Sequence, residues 1–352
     1  HPIHSRRFRR FMDLIQAAWM IRDLGQSVSA LHICEDSSLI AGGWDGALKK
    51  WDSDGGLLWS VECEDRIETI LLVKELVVVT SGLHITCISE GEIQWSHPLE
   101  GSADLLSFYE DQIIATSSVY DIEHGDFMES AVWRFSIDGD LIQVDRMDEK
   151  PWFLHSEDQM VIGLGRPKCG VLIGDNHQEL ATESPVTCGV SGPKHILLGH
   201  ADGPVSSQSG SEICKEAASI ESLICTEDGF VSALESGDLV ARSASGSELW
   251  SAEGGQVSTH SASFNKLHWC GRYEESSGSI EVRDANGKIL ISSKISKPRV
   301  SIAAQNRVAF GFEDGQVLLW EKGLFERRLN ENSGSTDGRR SALAAKLRSL
   351  RE

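Results

Sequence analysis

The chain has 352 residues, of which 40% are hydrophobic, with 33 glycines and only 8 prolines. This composition excludes a disordered chain and allows a large core. The formal net charge of −20 opposes phosphate backbones, which excludes broad nucleic-acid binding by the body of the chain. No run approaches the roughly 18 apolar residues of a transmembrane helix.

Residues 1–26 predict a basic amphipathic helix. Residues 1–25 hold five Arg against two Asp, and the apolar residues have helical spacing. Such a helix either packs on the rest of the chain or on a partner, or lies on a membrane; the shortness of the stripe favours packing. The stripe consists of Phe8, Phe11, Met12, Ile15 and Trp19.

A four-stranded unit follows. Residues 27–34, 38–44 and 47–51 read as strands, and a turn at Gly55 leads into a fourth strand at Leu57. The third turn recurs along the chain, because a two-residue hairpin needs the positive φ that Gly and Asn tolerate. The recurring positions are Gly55, Gly91, Gly139, Asn176, Gly210, Gly246, Gly287 and Gly323, at spacings of 36, 48, 37, 34, 36, 41 and 36 residues.

This period predicts an all-β fold, a single β-propeller over residues 27–331. It has eight four-stranded blades, or seven if the weak copies between 155 and 216 merge. The 48-residue interval predicts a long hairpin loop at residues 120–130. No strand clearly needs to come from the opposite end of the chain, so the sequence leaves the mode of ring closure open, with packing alone as one option.

The C-terminal residues predict a linker and a short basic helix over 332–352. Residues 330–338 are polar and rich in Gly and Ser, and the helix at 341–351 aligns Leu343, Leu347 and Leu350. This tail is either a docking segment or a frayed terminus.

Two stretches resemble the end of a WD repeat. Residues 42–52 contain a turn aspartate, Asp45, and the pair Trp51 and Asp52, and residues 311–321 repeat the pattern closely. Residues 51–59 are similar to the quinoprotein-like propeller repeat, in which a turn glycine is followed four residues later by Trp; Trp95 and Trp250 share this spacing. The resemblance implies a WD-repeat or quinoprotein-like propeller.

The enzymes with the most similar repeat pattern are the quinoprotein dehydrogenases, which bind a quinone and Ca²⁺ in the central channel. They use carboxylates, Asn, Arg and often an adjacent Cys pair, but this sequence has no adjacent Cys pair and no calcium-loop spacing. We therefore expect no cofactor, and we expect the strand-end Trp residues to pack between blades.

Catalytic motifs are also missing from the sequence. It contains no GxSxG, no HExxH and no phosphate-binding glycine loop. His200 and Asp202 are a candidate metal pair, but two residues of one turn offer too few ligands. The eight cysteines are scattered, which favours reduced core thiols and a cytoplasmic location. Residues 5–10 resemble a twin-arginine export signal, but Asp13 and Gln16 interrupt the apolar run that export requires.

The loops joining the second and third strands predict a binding face. They carry acidic and aromatic side chains, a combination that suits a basic peptide or protein surface. Alternatively, each aspartate hydrogen-bonds its own turn, which we favour for Asp45 and Asp314. The candidate partner-binding residues are Trp44, Asp45, His200, Asp202, Tyr273, Glu274, Glu313 and Asp314.

Two functional hypotheses follow. The first is a non-enzymatic protein-protein interaction scaffold with an acidic, aromatic-bearing face, to which the basic terminal helices add docking segments. The alternative is a quinoprotein-like or other enzyme with its site in the central channel. Repeats without a catalytic motif favour the scaffold.

Overall fold

The computed structural model describes residues 12–193 and 195–331. They form eight separate four-stranded antiparallel sheets, which confirms the predicted all-β propeller with eight blades. In seven of these eight sheets the chain runs from the inner to the outer strand. The inner strands of successive blades contact one another around the ring.

Blades 1 to 4 contain strands β2 to β17. Blade 1 holds β2 (Val28–Ile33), β3 (Leu39–Gly43), β4 (Ala47–Trp51) and β5 (Leu57–Glu62). Blade 2 holds β6 (Ile67–Val73), β7 (Leu76–Ser81), β8 (His84–Ser89) and β9 (Glu92–Pro98). Blade 3 holds β10 (Ser102–Tyr109), β11 (Gln112–Asp121), β12 (Asp126–Phe135) and β13 (Leu141–Met147). Blade 4 holds β14 (Pro151–Ser156), β15 (Met160–Leu164), β16 (Val171–Ile173) and β17 (Asn176–Gln178).

Blades 5 to 8 contain β18 to β32 and, in the last blade, β1. Blade 5 holds β18 (Val186–Ser191), β19 (Ile196–His200), β20 (Pro204–Ser207) and β21 (Glu212–Lys215). Blade 6 holds β22 (Ile220–Cys225), β23 (Gly229–Leu234), β24 (Leu239–Ser243) and β25 (Glu248–Ala252). Blade 7 holds β26 (Gln256–Ala262), β27 (His268–Glu274), β28 (Ser277–Arg283) and β29 (Ile289–Ile295). Blade 8 holds β30 (Pro298–Ala304), β31 (Arg307–Phe312), β32 (Gln316–Glu321) and β1 (Met20–Asp23).

The structure shows how the ring closes, which the sequence had left open. The sheet of blade 8 has the order β1-β32-β31-β30, so its outer strand comes from the N-terminal end, with Met20 opposite Leu319. The expected turn at Gly323 is wrong, because a helix, α1, occupies residues 322–331 directly after β32. The backbone groups at the edge of β32 are satisfied by β1 instead of by a fourth hairpin strand. Packing alone therefore does not close the ring.

The predicted N-terminal helix is wrong for residues 12–26, and residues 1–11 lie outside the described residues. Residues 14–17 form a turn, and β1 follows. Met12 and Leu14 pack into the core beside Trp320 of β32 and Phe325 of α1, and the Trp320 Nε1–H donates to the Leu14 carbonyl at 2.8 Å. Tertiary packing rather than helical propensity decides this segment. Residues 330 and 331 belong to α1 rather than to a linker, and the helix predicted at 341–351 lies outside the described residues.

Interblade packing explains the recurring Gly and Trp. A Cβ atom on Gly91 would lie 2.7 Å from Trp59, and one on Gly139 would lie 2.6 Å from Trp95 of the preceding blade. The outer-strand Trp of one blade therefore packs on the turn glycine of the next, as predicted, and Trp250 does the same at Gly287. The turn positions predicted from Gly55 to Gly287 all fall at third turns, although Asn176 is already the first residue of β17.

Inner-strand hydroxyls link the blades. Ser29 Oγ donates to the Ile67 carbonyl, and Thr187 Oγ1 donates to the Ile220 carbonyl, both at 2.5 Å. Thr69 Oγ1 donates in the same way to the Asp104 carbonyl at 2.7 Å. These bonds fix neighbouring blades in register while their apolar faces pack against each other.

All eight cysteines are free thiols, buried or half-buried. Burial raises the pKa of Cys188 and of Cys270 to about 12. Within residues 12–193 and 195–331, no helix has the length and apolar content to cross a bilayer.

Candidate functional site

The ring has two faces, because antiparallel strands place successive loops at opposite ends of a blade. We call the first face the one formed by the loops between second and third strands together with the loops between blades. The predicted partner-binding residues belong to this face. Both faces carry more Asp and Glu than Lys and Arg, so acidity alone does not single out the first face.

Trp44 and Asp45 lie at the turn between β3 and β4. Trp44 is 44% exposed, and the Arg66 guanidinium lies 4.0 Å from its ring centroid. The Asp45 backbone N–H donates to Gln26 Oε1 at 2.7 Å, and the Ala47 N–H donates to the same oxygen at 3.1 Å. The expectation that Asp45 holds its own turn is therefore wrong, because Gln26 satisfies the turn.

His200 is not a surface residue, which corrects its assignment as a partner contact. It is fully buried as the last residue of β19. Its Nδ1 lies 2.9 Å from the Ser184 carbonyl, its Nε2 lies 2.7 Å from Ser206 Oγ, and burial lowers its pKa. Both ring nitrogens are engaged, so His200 has no free nitrogen with which to join the exposed Asp202 at a metal ion.

The remaining predicted residues lie on the first face at blades 7 and 8. Lys297 Nζ lies 4.0 Å from the ring centroid of the half-buried Tyr273, and Glu274 is exposed. Glu313 pairs with Arg299 at 3.1 Å. Asp314 Oδ1 accepts the Gln316 N–H at 3.0 Å, which confirms the expectation that Asp314 holds its own turn.

The predicted long hairpin is the most prominent feature of this face. β11 pairs with β10 only up to Ser118, and β12 pairs with β13 only from Ser130 onward. Residues 119–129 therefore project beyond the ring as a two-stranded ribbon, which we call the blade 3 hairpin. The 48-residue interval predicted the length of this hairpin. Its exposed apolar side chains were not predicted to form a binding site.

The tip of the hairpin is held by Asp121. Its Oδ1 accepts the backbone N–H groups of Glu123 at 2.8 Å and of His124 at 3.1 Å. The His124 N–H, and then the His124 side chain, hold the pKa of Asp121 below its usual value. This turn presents Ile122, which is 88% exposed.

Three rings form an aromatic shelf on the side of the hairpin that faces blade 4. Tyr120 and Phe127 meet edge to face with centroids 5.1 Å apart, and Phe127 meets Trp152 of β14 at 5.7 Å. Lys150 Nζ lies 3.8 Å from the Phe127 centroid and 4.2 Å from the Trp152 centroid. Residues of blade 4 and of the loop that enters it thereby pack against the hairpin and support it.

Lys150 also pairs with a buried carboxylate. Its Nζ lies 3.9 Å from Asp104 Oδ1, and Ser118 Oγ donates to Asp104 Oδ2 at 2.5 Å. Burial raises the pKa of Asp104 and lowers the pKa of Lys150, while the attraction between the two charges partly offsets both shifts. The pair therefore stabilises the base of the hairpin.

A cleft of about 330 Å³ lies on the other side of the hairpin. Its apolar wall contains Val119 and Met147, and its rim contains the ion pair between Arg146 and Glu100, with N–O distances of 2.5 and 2.9 Å. The remaining lining residues are Glu129, Ser130 and Asp148.

A smaller cavity of about 50 Å³ lies between blades 6 and 7 on the opposite face. His268 lines it, and His268 Nε2 lies 3.0 Å from His260 Nδ1. Burial lowers the pKa of both histidines, to about 4 for His260. This volume holds little more than one water-sized molecule. Among the described residues, no group of three or more His, Cys, Asp or Glu side chains could hold a metal ion.

Comparison with solved structures identifies the fold. BamB from Moraxella catarrhalis matches over 86% of this chain and 97% of its own, at 13% identity and a TM-score of 0.65. The C-terminal WD40 domain of Sif2 matches over 86% and 98%, at 11% identity and a TM-score of 0.62. The chain has the β-propeller fold of these solved structures, one of which is a WD40 domain.

A third match is the computationally designed protein Ika8, at 19% identity and a TM-score of 0.69 over 88% of this chain and 99% of the designed one. Identities this low show the fold alone. No protein-family model and no curated protein matches the sequence.

Proposed function

We propose that this chain is a non-enzymatic scaffold that binds a partner protein through the first face, with the blade 3 hairpin as the main contact. One observation carries the proposal: large hydrophobic side chains are exposed together on the hairpin and its support. Exposed apolar patches of this kind mark interaction sites, because burying them against a partner is favourable. The exposed hydrophobic side chains on the hairpin and its support are Val119 at 38%, Tyr120 at 52%, Ile122 at 88%, Met128 at 42% and Trp152 at 38% exposure.

The charges around this patch support a basic partner. Asp121, Glu123 and Glu129 flank the apolar side chains. Asp126 is paired with Arg166 at 3.7 Å, and Lys150 is half-buried between two rings. Apolar anchors inside a polar rim are the usual anatomy of a protein interface. A partner segment with apolar and basic side chains complements both features.

The predicted residues other than His200 remain proposed contacts on the same face: Trp44, Asp45, Asp202, Tyr273, Glu274, Glu313 and Asp314. The basic terminal segments 1–11 and 332–352 remain proposed docking segments. Eight free thiols fit a reducing compartment such as the cytoplasm. The pair of Asp104 and Lys150 is assigned to support of the hairpin.

Site-specific photo-cross-linking in cells of the source organism tests the proposal. A photoreactive amino acid replaces Ile122 or, as a matched control, Ile93, which is 43% exposed on the outer strand of blade 2. We expect one partner to cross-link at position 122 and not at position 93. The double variant I122D/M128D should lose this partner, and I93D should keep it. Equal cross-linking at both positions, or a partner retained by the double variant, contradicts the proposal.

A further inference from the structure

The projecting part of β12 has an open edge. β12 pairs with β11 as far as Asp121 opposite Asp126, but its ladder with β13 starts at Ser130 opposite Met147. Within the described residues, no strand covers the outer side of residues 126–129. An open strand edge presents backbone N–H and C=O groups that are a template for an added strand. The Phe127 N–H already donates to Asp126 Oδ1 at 2.8 Å, and Met128 lies at a bulge between the Glu129–Val119 and Phe127–Tyr120 pairs, so an added strand uses the remaining groups of this edge.

The cleft lies where such an added strand would run. Residues 146–148 mark the end of β13 and line the cleft together with Glu129 and Ser130 of β12. A strand that continues the line of β13 along residues 126–129 therefore passes over Val119 and Met147. Its side chains alternate between the two faces of the ribbon, one face bordering the cleft and the other the aromatic shelf.

The charges of the cleft define the side chain that fits it. Arg146 is already paired with Glu100, so Glu129 and Asp148 remain as the carboxylates on the rim. The apolar wall suits the aliphatic part of a Lys or Arg side chain, and the carboxylates suit its charged end. On the opposite face, Tyr120 and Phe127 suit an apolar side chain.

We infer that the blade 3 hairpin binds an extended, basic segment of a partner protein by strand addition along residues 126–129, with a Lys or Arg side chain in the adjoining cleft. This inference rests on the proposed scaffold function and specifies its partner. Main-chain hydrogen bonds supply affinity in this mode of recognition, and alternate side chains supply specificity.

The experiment uses a phage-displayed library of random twelve-residue peptides selected on the full chain. Enriched peptides are synthesised, and their dissociation constants are measured by fluorescence anisotropy. We expect basic and apolar residues to alternate in the enriched sequences. N-methylation of the peptide backbone at every second residue should weaken binding about tenfold or more, whereas methylation of the intervening residues should change it less than about twofold.

Two charge-reversal variants locate the site. E129K should weaken binding about tenfold, whereas E92K, on the outer strand of blade 2, should leave it within about twofold. Failure to enrich any peptide, uniform tolerance of N-methylation, or equal binding by E129K overturns the inference. If cross-linking through position 122 persists in any of these cases, the scaffold function stands and only strand addition fails. If cross-linking through position 122 is lost as well, both the scaffold function and strand addition are contradicted.

Discussion

Lys150 Nζ lies 3.8 Å from the ring centroid of Phe127, so the loop entering blade 4 holds a side chain of the blade 3 hairpin. The same nitrogen lies 3.9 Å from Asp104 Oδ1 at the base of the ribbon. A two-stranded ribbon is only marginally stable by itself in water. The orientation of the hairpin therefore depends on Lys150.

Replacing this lysine should loosen the hairpin while the ring stays folded. In K150M, the cation is lost from the shelf and Asp104 loses its partner, so we expect faster amide hydrogen exchange across residues 119–129. The matched control is K266M, which removes a 3.0 Å ion pair with Asp228 on the opposite face and should leave hairpin exchange unchanged. Unchanged hairpin exchange in K150M would show that Lys150 does not hold the hairpin.

The same substitution should destabilise the chain far more at one residue of β1 than at its neighbour. Met20 is 3% exposed and Ile21 is 44% exposed, because successive side chains of a strand point to opposite sides. We expect M20D to lose on the order of 3–5 kcal/mol of unfolding free energy, since it buries a carboxylate, and I21D to lose less than about 1 kcal/mol. Urea denaturation measures both, and similar losses would mean that β1 does not close the ring as described.

Two glycine variants separate backbone strain from interblade packing. Gly91 has φ of +82° and Gly174 has φ of +59°, but only the Cβ added at Gly91 meets a neighbour within 4 Å, Trp59. We expect G174A to cost about 1 kcal/mol from strain alone, and G91A to cost about 2–4 kcal/mol from strain and overpacking together. Denaturant midpoints provide the comparison. Equal midpoints would exclude a packing role for Trp59.

The buried histidine pair should make stability depend on pH. His260 and His268 have pKa values below 6.5 in the folded chain, whereas the unfolded chain takes up protons near 6.5. Above about pH 6.5 these groups do not affect stability. Below that pH stability falls, by on the order of 1 kcal/mol per pH unit down to about pH 4 for His260, and in the same direction for His268. Urea midpoints between pH 7.5 and 5 measure this slope. H268Q should reduce it, and an unchanged slope would contradict the assignment.

Local turn chemistry made the blades predictable from the sequence. Gly55, Gly91 and Gly139 recur because each hairpin needs a positive φ at its own turn. Gly323 fits the same spacing but lies at the start of α1, and nothing near it in the sequence distinguishes the two. The pairing of Met20 with Leu319 joins residues almost 300 positions apart, which no local pattern reveals.

The candidate site was only partly predictable. The long interval before Gly139 predicted the hairpin, but exposure of Ile122 and Met128 depends on where β10 and β13 end. His200 is the last residue of β19, next to an exposed turn, yet its burial depends on Ser184 and Ser206, which lie on other segments. Side-chain environment is a tertiary property, so these outcomes required coordinates.

Because β1 belongs to the last blade, the ring can close only late in translation. Translation produces β1 first and β32 last, so β1 has no partner while blades 1 to 7 emerge from the ribosome. A product that stops before residue 316 lacks β32 and leaves the apolar faces of the terminal blades uncovered, which makes it a substrate for proteases and chaperones. The ring can therefore be complete only after translation has passed residue 321.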